Sequence, residues 1–159
     1  MVKTSQIIFA KGKAKALDSL FLDSENDKAP FGYLAVGFSD AQVNGFEDPI
    51  LNDTNMTNEE YTGFKELDAT RFNYHRVELR GSDLNYEDIN YNDATGKVTR
   101  TYQATLESDN INETYINQIA IVNTSEANNN MTEFYSATTF PSFLKDSHSS
   151  ITFKISFTI

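Results

Sequence analysis

Residues Ile151-Thr152-Phe153-Lys154-Ile155-Ser156-Phe157-Thr158-Ile159 alternate apolar and polar side chains without a break. Successive side chains of an extended chain point to opposite faces. The run therefore predicts a core strand that turns its isoleucines and phenylalanines inward and Thr152, Lys154, Ser156 and Thr158 outward. A helix would scatter the same residues around its circumference. Truncating the last few residues is expected to remove core rather than decoration.

The same period appears upstream. In residues 97–107, Val98, Arg100, Tyr102, Ala104 and Leu106 share one face, and Thr99, Thr101, Gln103 and Thr105 the other. Further strands are expected at 114–123, with Ile116, Ile119 and Ile121, and at 132–140, with Phe134, Tyr135 and Phe140, separated by a turn at Asn128-Asn129-Asn130. Residues 70–80 read as another strand, followed by a tyrosine- and acid-rich loop from Gly81-Ser82-Asp83 that returns through Asp93-Ala94-Thr95-Gly96. Phe31-Gly32-Tyr33-Leu34-Ala35-Val36-Gly37-Phe38 is apolar throughout, as in a strand covered on both faces, and its glycines permit close backbone approach. Ala14, Leu17, Leu20 and Phe21 recur at helical spacing, with lysines and Asp18 between them, and predict a short helix over 12–22. Ser39 to Glu66 is polar, with a short helix expected around Asn58 to Lys65. Strands in succession without long helices between them do not build a parallel sheet. The expected fold is mainly β, an antiparallel two-layer β-sandwich with one short N-terminal helix. Residues 1–159 form one domain in this reading, with 1–22 as an N-terminal arm and helix and 40–66 as a long polar insert.

A chain of 159 residues is long enough to bury one core, and 39% hydrophobic with 23% charged residues is a globular composition. Cysteine is absent, which removes disulfides and thiolate ligands from consideration. The net charge of −10 repels phosphate backbones and anionic headgroups, so neither nucleic acid nor a membrane surface is an expected partner. No apolar stretch approaches the roughly 20 residues that cross a bilayer. Gln6 to Ala10 is too short for a signal-peptide core and is interrupted by Lys11. The sequons at Asn52, Asn55, Asn112, Asn123 and Asn130 reflect an asparagine-rich composition. Lys3, Lys11, Lys13 and Lys15 leave nine basic against 23 acidic residues after position 16, a net of −14 for the body. This basic segment is either a docking arm for an acidic neighbour or a solvated helix face, and the second reading is the simpler.

Candidate chemical sites are few. Asp83, Asn85, Glu87 and Asp88 place oxygen ligands on one loop, as calcium requires. However, Asp88 stands where a calcium loop needs glycine and Ala94 where it needs the closing glutamate, so a solvated acidic loop is expected. His75 alternates along a predicted strand beside Tyr74 and Arg76 and reads as structural. Asp146-Ser147-His148-Ser149 holds triad residue types, but neighbours in sequence do not converge as nucleophile, base and orienter. With 23 acidic residues, paired carboxylates for a glycosidase carry no specificity. Tyr86 and Tyr91 beside carboxylates are candidates for stacking on a sugar, which keeps a carbohydrate-binding adhesin module as an alternative function. Arg71, Arg76, Arg80 and Arg100 serve either intersubunit or cross-strand ion pairs. No catalytic, cofactor or metal residue is assigned on this basis.

Several segments taken in order have a familiar character: Pro30-Phe31-Gly32-Tyr33-Leu34-Ala35-Val36-Gly37, Arg76-Val77-Glu78-Leu79, Ile116-Asn117-Gln118-Ile119-Ala120-Ile121, Thr139-Phe140-Pro141 with Lys145, and Ser150-Ile151-Thr152-Phe153. Together they resemble small β-sandwich virion structural proteins of tailed bacteriophages, from about residue 12 onward. The resemblance implies a non-enzymatic module that decorates a capsid, builds a head fibre, or sits in the neck or tail. It implies a location in the virion, homo-oligomerisation, and capsid, fibre or neck and tail subunits as partners. The acidic, Asn-rich insert between Gly37 and Arg76 departs from that pattern, and a loop there accommodates a partner-specific contact without disturbing the core.

Overall fold

The computed structural model describes residues 6–22, 29–40, 63–81 and 90–159. Within them lie a helix, α1 (Ala10–Phe21), and strands β1 (Tyr33–Gly37), β2 (Val77–Glu78), β3 (Arg80–Gly81), β4 (Asn90–Asn92), β5 (Lys97–Leu106), β6 (Thr114–Val122), β7 (Phe134–Lys145) and β8 (Ile151–Thr158). The predicted alternation is realised on β5, where Val98, Arg100, Tyr102, Ala104 and Leu106 are all buried. On β1 Leu34, Ala35, Val36 and Gly37 are buried alike. Leu34 and Val36 join the main core, while Ala35 packs with Phe64, Ala120 and Val122 on the other face.

The strands form two antiparallel sheets, as a β-sandwich requires. One has the order β2-β1-β6-β7. In the other, β8 pairs with β5 from Thr99↔Thr158 to Leu106↔Ile151. β3 and β4 pair with positions 102–103 and 97–99 of β5, and since β8 occupies one edge of that strand they lie along the other. The two flanks of the sandwich differ. On one, β2 pairs with β1 and β3 with β5, so a single extended segment leaves the first sheet and enters the second at Leu79, which is 2% exposed. A strand that switches sheets closes a corner of the sandwich. On the other flank β7 and β8 are the outermost of the described strands, with no backbone pairing between them.

Helix α1 follows the predicted face. Ala14, Leu17 and Phe21 are buried, and Phe21 stacks on Phe157 at 4.7 Å while touching Tyr102 and Tyr135 at 4.9 Å each. Lys13 Nζ donates to the carbonyl of Gly96 at 2.6 Å, which fastens the helix to the turn between β4 and β5. Gly96 has a φ of +69°, a conformation that favours glycine. Gly37 is required for a different reason: a Cβ there would collide with the carbonyl oxygen of Lys65, which runs alongside.

Four expectations are corrected. Residues 70–80 are not one strand. Asp68 Oδ1 accepts from the Arg71 N–H at 2.7 Å, its carbonyl accepts from Phe72, and Asn73 takes a φ of 51°, so a turn occupies 69–73 and strand pairing begins only at Val77. β7 runs through Pro141 to Lys145 instead of stopping at 140, because a missing N–H is tolerated on an outer strand. β8 is not fully internal: Ile151, Phe153, Ile155 and Phe157 are each only half-buried. Asp18, expected among the polar positions of the helix, is buried. The segments 41–62 and 82–89 lie outside the described residues, as does most of the helix expected around Asn58 to Lys65. Gly63 to Lys65 are not helical.

Candidate functional site

The residues singled out for chemistry are dispersed. The acidic loop Asp83, Asn85, Glu87 and Asp88, together with Tyr86, lies outside the described residues. Tyr91 is on β4, 46% exposed. His75 is exposed, and its backbone N–H bonds to Asn110 Oδ1. Asp146 Oδ1 accepts from the N–H groups of His148 and Ser149 and from the Ser149 hydroxyl, each at 2.9 Å. First the His148 amide and then the Ser149 hydroxyl hold the Asp146 carboxyl below its ordinary range. These contacts make a capped turn between β7 and β8, with no nucleophile aimed at a base. Among the described residues no three His, Cys, Asp or Glu side chains gather as metal ligands, and no helix is long and apolar enough to cross a membrane.

The arginine question resolves in favour of pairing within the chain for two of the four. Arg76 Nε and Nη2 donate to the two carboxylate oxygens of Glu66 at 2.8 Å each, with Nη1 on the Thr124 carbonyl and Nη2 also on Thr132 Oγ1. Tyr74 donates to the same carboxylate at 2.5 Å and accepts from the Val36 N–H. Burial pushes the Tyr74 phenol well above its ordinary pKa, with the Glu66 charge adding to it. Burial alone would lower Arg76, but the hydrogen bond and charge of Glu66 outweigh it and raise the guanidinium. Arg100 Nε lies 3.3 Å from Asp18 Oδ1, and Tyr102 donates to the same oxygen at 2.6 Å. Burial, then the Asp18 hydrogen bond, raises the Tyr102 phenol. These clusters satisfy their own donors and acceptors, which is how buried polar groups become structural. Arg71 lies over the Phe72 ring, and Arg80 lines a polar groove of about 360 Å³ with Glu78, Gln103 and Glu107.

What the structure assembles instead is the flank between β7 and β8. Rings from the two strands interlock across the layers: Tyr135 packs edge-on to Phe157 at 5.3 Å, and Phe140 touches Phe153 and Phe143 at 5.6 Å each. Phe31 joins through Tyr135 at 5.3 Å. These side chains seal the layers only partly, with Tyr135 40% exposed. On the outer face of the β5/β8 pair, hydroxyls bond in a row: Thr99 to Thr158 and Thr101 to Ser156 at 2.7 Å, and Thr105 to Thr152 at 2.8 Å.

Long unpaired edges invite pairing with another chain, and proteins guard them with proline, bulges or charge. β7 carries Pro141 and registers irregularly with β6. β8 has neither proline nor a bulge against β5, and Lys154 is its only charge. The sequence contained a signal for this arrangement, since a proline within an apolar strand marks an outer position, but the partnership of β7 and β8 as one flank depends on the topology. Comparison of the chain with protein-family models, curated proteins and solved structures finds no match in any of the three.

Proposed function

We propose that this chain is a non-enzymatic structural protein that acts by assembling with other subunits, as a capsid-decoration or head-fibre component of a tailed-phage virion. A neck or tail position is the alternative within the same particle. The observation that supports the reading is the flank between β7 and β8, where half-buried aromatic rings lie beside a strand edge that carries Lys154 as its one guard. A polar rim around a partly exposed apolar strip is the usual anatomy of a protein interface. Among the described residues, Glu66 pairs with Arg76 and Asp18 with Arg100, and the buried Lys145 Nζ donates to the Ser108 and Asp146 carbonyls, so these groups build the module and leave its contacts to the surface.

The experiment is quantitative mass spectrometry of purified particles from the source. The expected result is this chain in the particle at a fixed ratio to the major capsid protein, and that ratio separates a head role from a neck or tail role. Absence from particles, with the protein recovered only in the unassembled fraction, defeats the reading.

A further inference from the structure

The edge of β8 that no described strand pairs can be specified atom by atom. Val98 and Ile159 exchange both backbone hydrogen bonds, N–H to carbonyl, at 2.6 and 2.9 Å. Bonded and non-bonded pairs alternate along an antiparallel ladder. With the register Thr99↔Thr158 to Leu106↔Ile151, the N–H and C=O groups of Ile151, Phe153, Ile155 and Phe157 point to β5. Those of Thr152, Lys154, Ser156 and Thr158 therefore point away from it. The side chains of the latter four are exposed, and those of the former half-buried. Every second residue of β8 thus offers a donor and an acceptor to a neighbour lying in the plane of the sheet.

We infer that the neighbour is a second copy of this chain, paired antiparallel along β8 about a two-fold axis with Ile155 opposite the partner's Ile155. The inference rests on the assembly reading above and names one of its contacts. Three features select this partner and register. First, β8 complements itself: Thr152 meets the partner's Thr158 and Lys154 the partner's Ser156, so every outward backbone group of the strand finds its counterpart. Shifting the register by two residues brings Lys154 opposite the partner's Lys154, or moves the end residues out of the ladder. Like charges directly opposite each other are destabilising. Second, the inner faces match, with Phe153 against the partner's Phe157 and Ile151 against the partner's Ile159, so two half-covered cores become one. Third, the charge permits it. The chain carries −10, but β5, β6, β7 and β8 contain no Asp or Glu. Two anionic copies approach with least repulsion along such a flank.

The test is sedimentation analysis of the full chain over a range of concentrations, with three variants. Ser156→Pro removes an N–H that points away from β5, so the internal ladder stays intact while the free edge is blocked. Its self-association should weaken about tenfold or more. Ser156→Lys sets lysine opposite the partner's Lys154 at two symmetric places and should weaken association about 2- to 30-fold, less so at high salt. Adding Lys154→Glu to Ser156→Lys turns both clashes into ion pairs and should restore it. Restoration also shows that the weakened variant folds. A wild-type chain that stays monomeric throughout, a dimer indifferent to Ser156→Pro, or a Ser156→Lys defect that Lys154→Glu leaves unrepaired overturns the inference. A monomer still found in particles defeats the pairing and spares the virion reading, whereas a β8-dependent dimer absent from particles does the reverse.

Discussion

Replacing Asp18 by alanine tests whether a buried polar cluster fastens helix α1 to strand β5. Asp18 is 9% exposed, Arg100 6% and Tyr102 0%. The carboxylate accepts from Arg100 Nε at 3.3 Å and from the Tyr102 hydroxyl at 2.6 Å. Asp18→Ala leaves a buried guanidinium without its counter-charge and a phenol without its acceptor. Removing one member of a buried pair costs about 3–5 kcal/mol, against about 0–1 kcal/mol for a pair in solvent. For a domain of this size that is a fall in Tm of roughly 6–20 °C. The control is the triple variant Asp18→Leu, Arg100→Met and Tyr102→Phe, which removes both charges and the hydroxyl that would otherwise lose its acceptor, and roughly keeps the volume. It should recover most of the loss, because apolar replacement of a buried pair is often neutral or better. Urea unfolding read by circular dichroism gives both numbers. A loss below about 1 kcal/mol for Asp18→Ala would put the aspartate among solvated helix residues and refute the reasoning.

Three further outcomes follow from the structure. Gly37→Ala should destabilise by about 1–3 kcal/mol because its Cβ meets the Lys65 backbone, whereas strand propensity alone would make alanine the better residue, so the sign of the change in urea midpoint decides. Phe21→Ala, at a ring in contact with Tyr102, Tyr135 and Phe157, should cost about 3–5 kcal/mol in the same assay. The Tyr74 and Tyr102 phenols are both raised in the fold. Their contribution is complete below the unfolded tyrosine pKa of about 10 and is lost as pH climbs from there through the folded values. In a titration followed by tyrosinate absorption, two of the eight tyrosines should therefore ionise only as the protein unfolds. Ionisation of all eight before any change in circular dichroism would contradict this.

Local pattern carried much of the fold. The alternations in 97–106 and 151–158 are strands because burial of one face suffices to fix them, and the apolar run at 33–37 is a strand covered on both faces. Most of the failures arise because the deciding partner lies far away in sequence, and one arises from a local turn. Asp18 is buried because Arg100 and Tyr102, on β5, stand beneath it. Residues 70–80 turn before they extend because Asp68 caps the Arg71 amide and Asn73 adopts a left-handed conformation. The crossing at Leu79 and the placement of β7 and β8 at one flank follow from strand order, and alternation within a strand says nothing about which strands are outermost. Of the candidate site, the outward Thr152, Lys154, Ser156 and Thr158 could be read from the sequence; the free backbone beside them could not.

The asymmetry between the flanks ties stability to assembly. On the closed side a continuous segment binds both sheets through backbone hydrogen bonds, and Arg76, just before it, anchors Glu66 and Thr132. On the other side the layers are held by ring contacts such as Tyr135 with Phe157 and Phe140 with Phe153. Those rings are half-wet, so a subunit covering them adds apolar burial that the isolated chain lacks. A partner that binds only the folded state stabilises it by mass action. If β8 pairs as inferred, the wild-type Tm should rise with protein concentration, and the slope should vanish in Ser156→Pro while Gly37→Ala lowers the midpoint and leaves the slope in place. A concentration-independent Tm in the wild type would mean that the flank is stable uncovered, and the link between its exposed rings and assembly would fail.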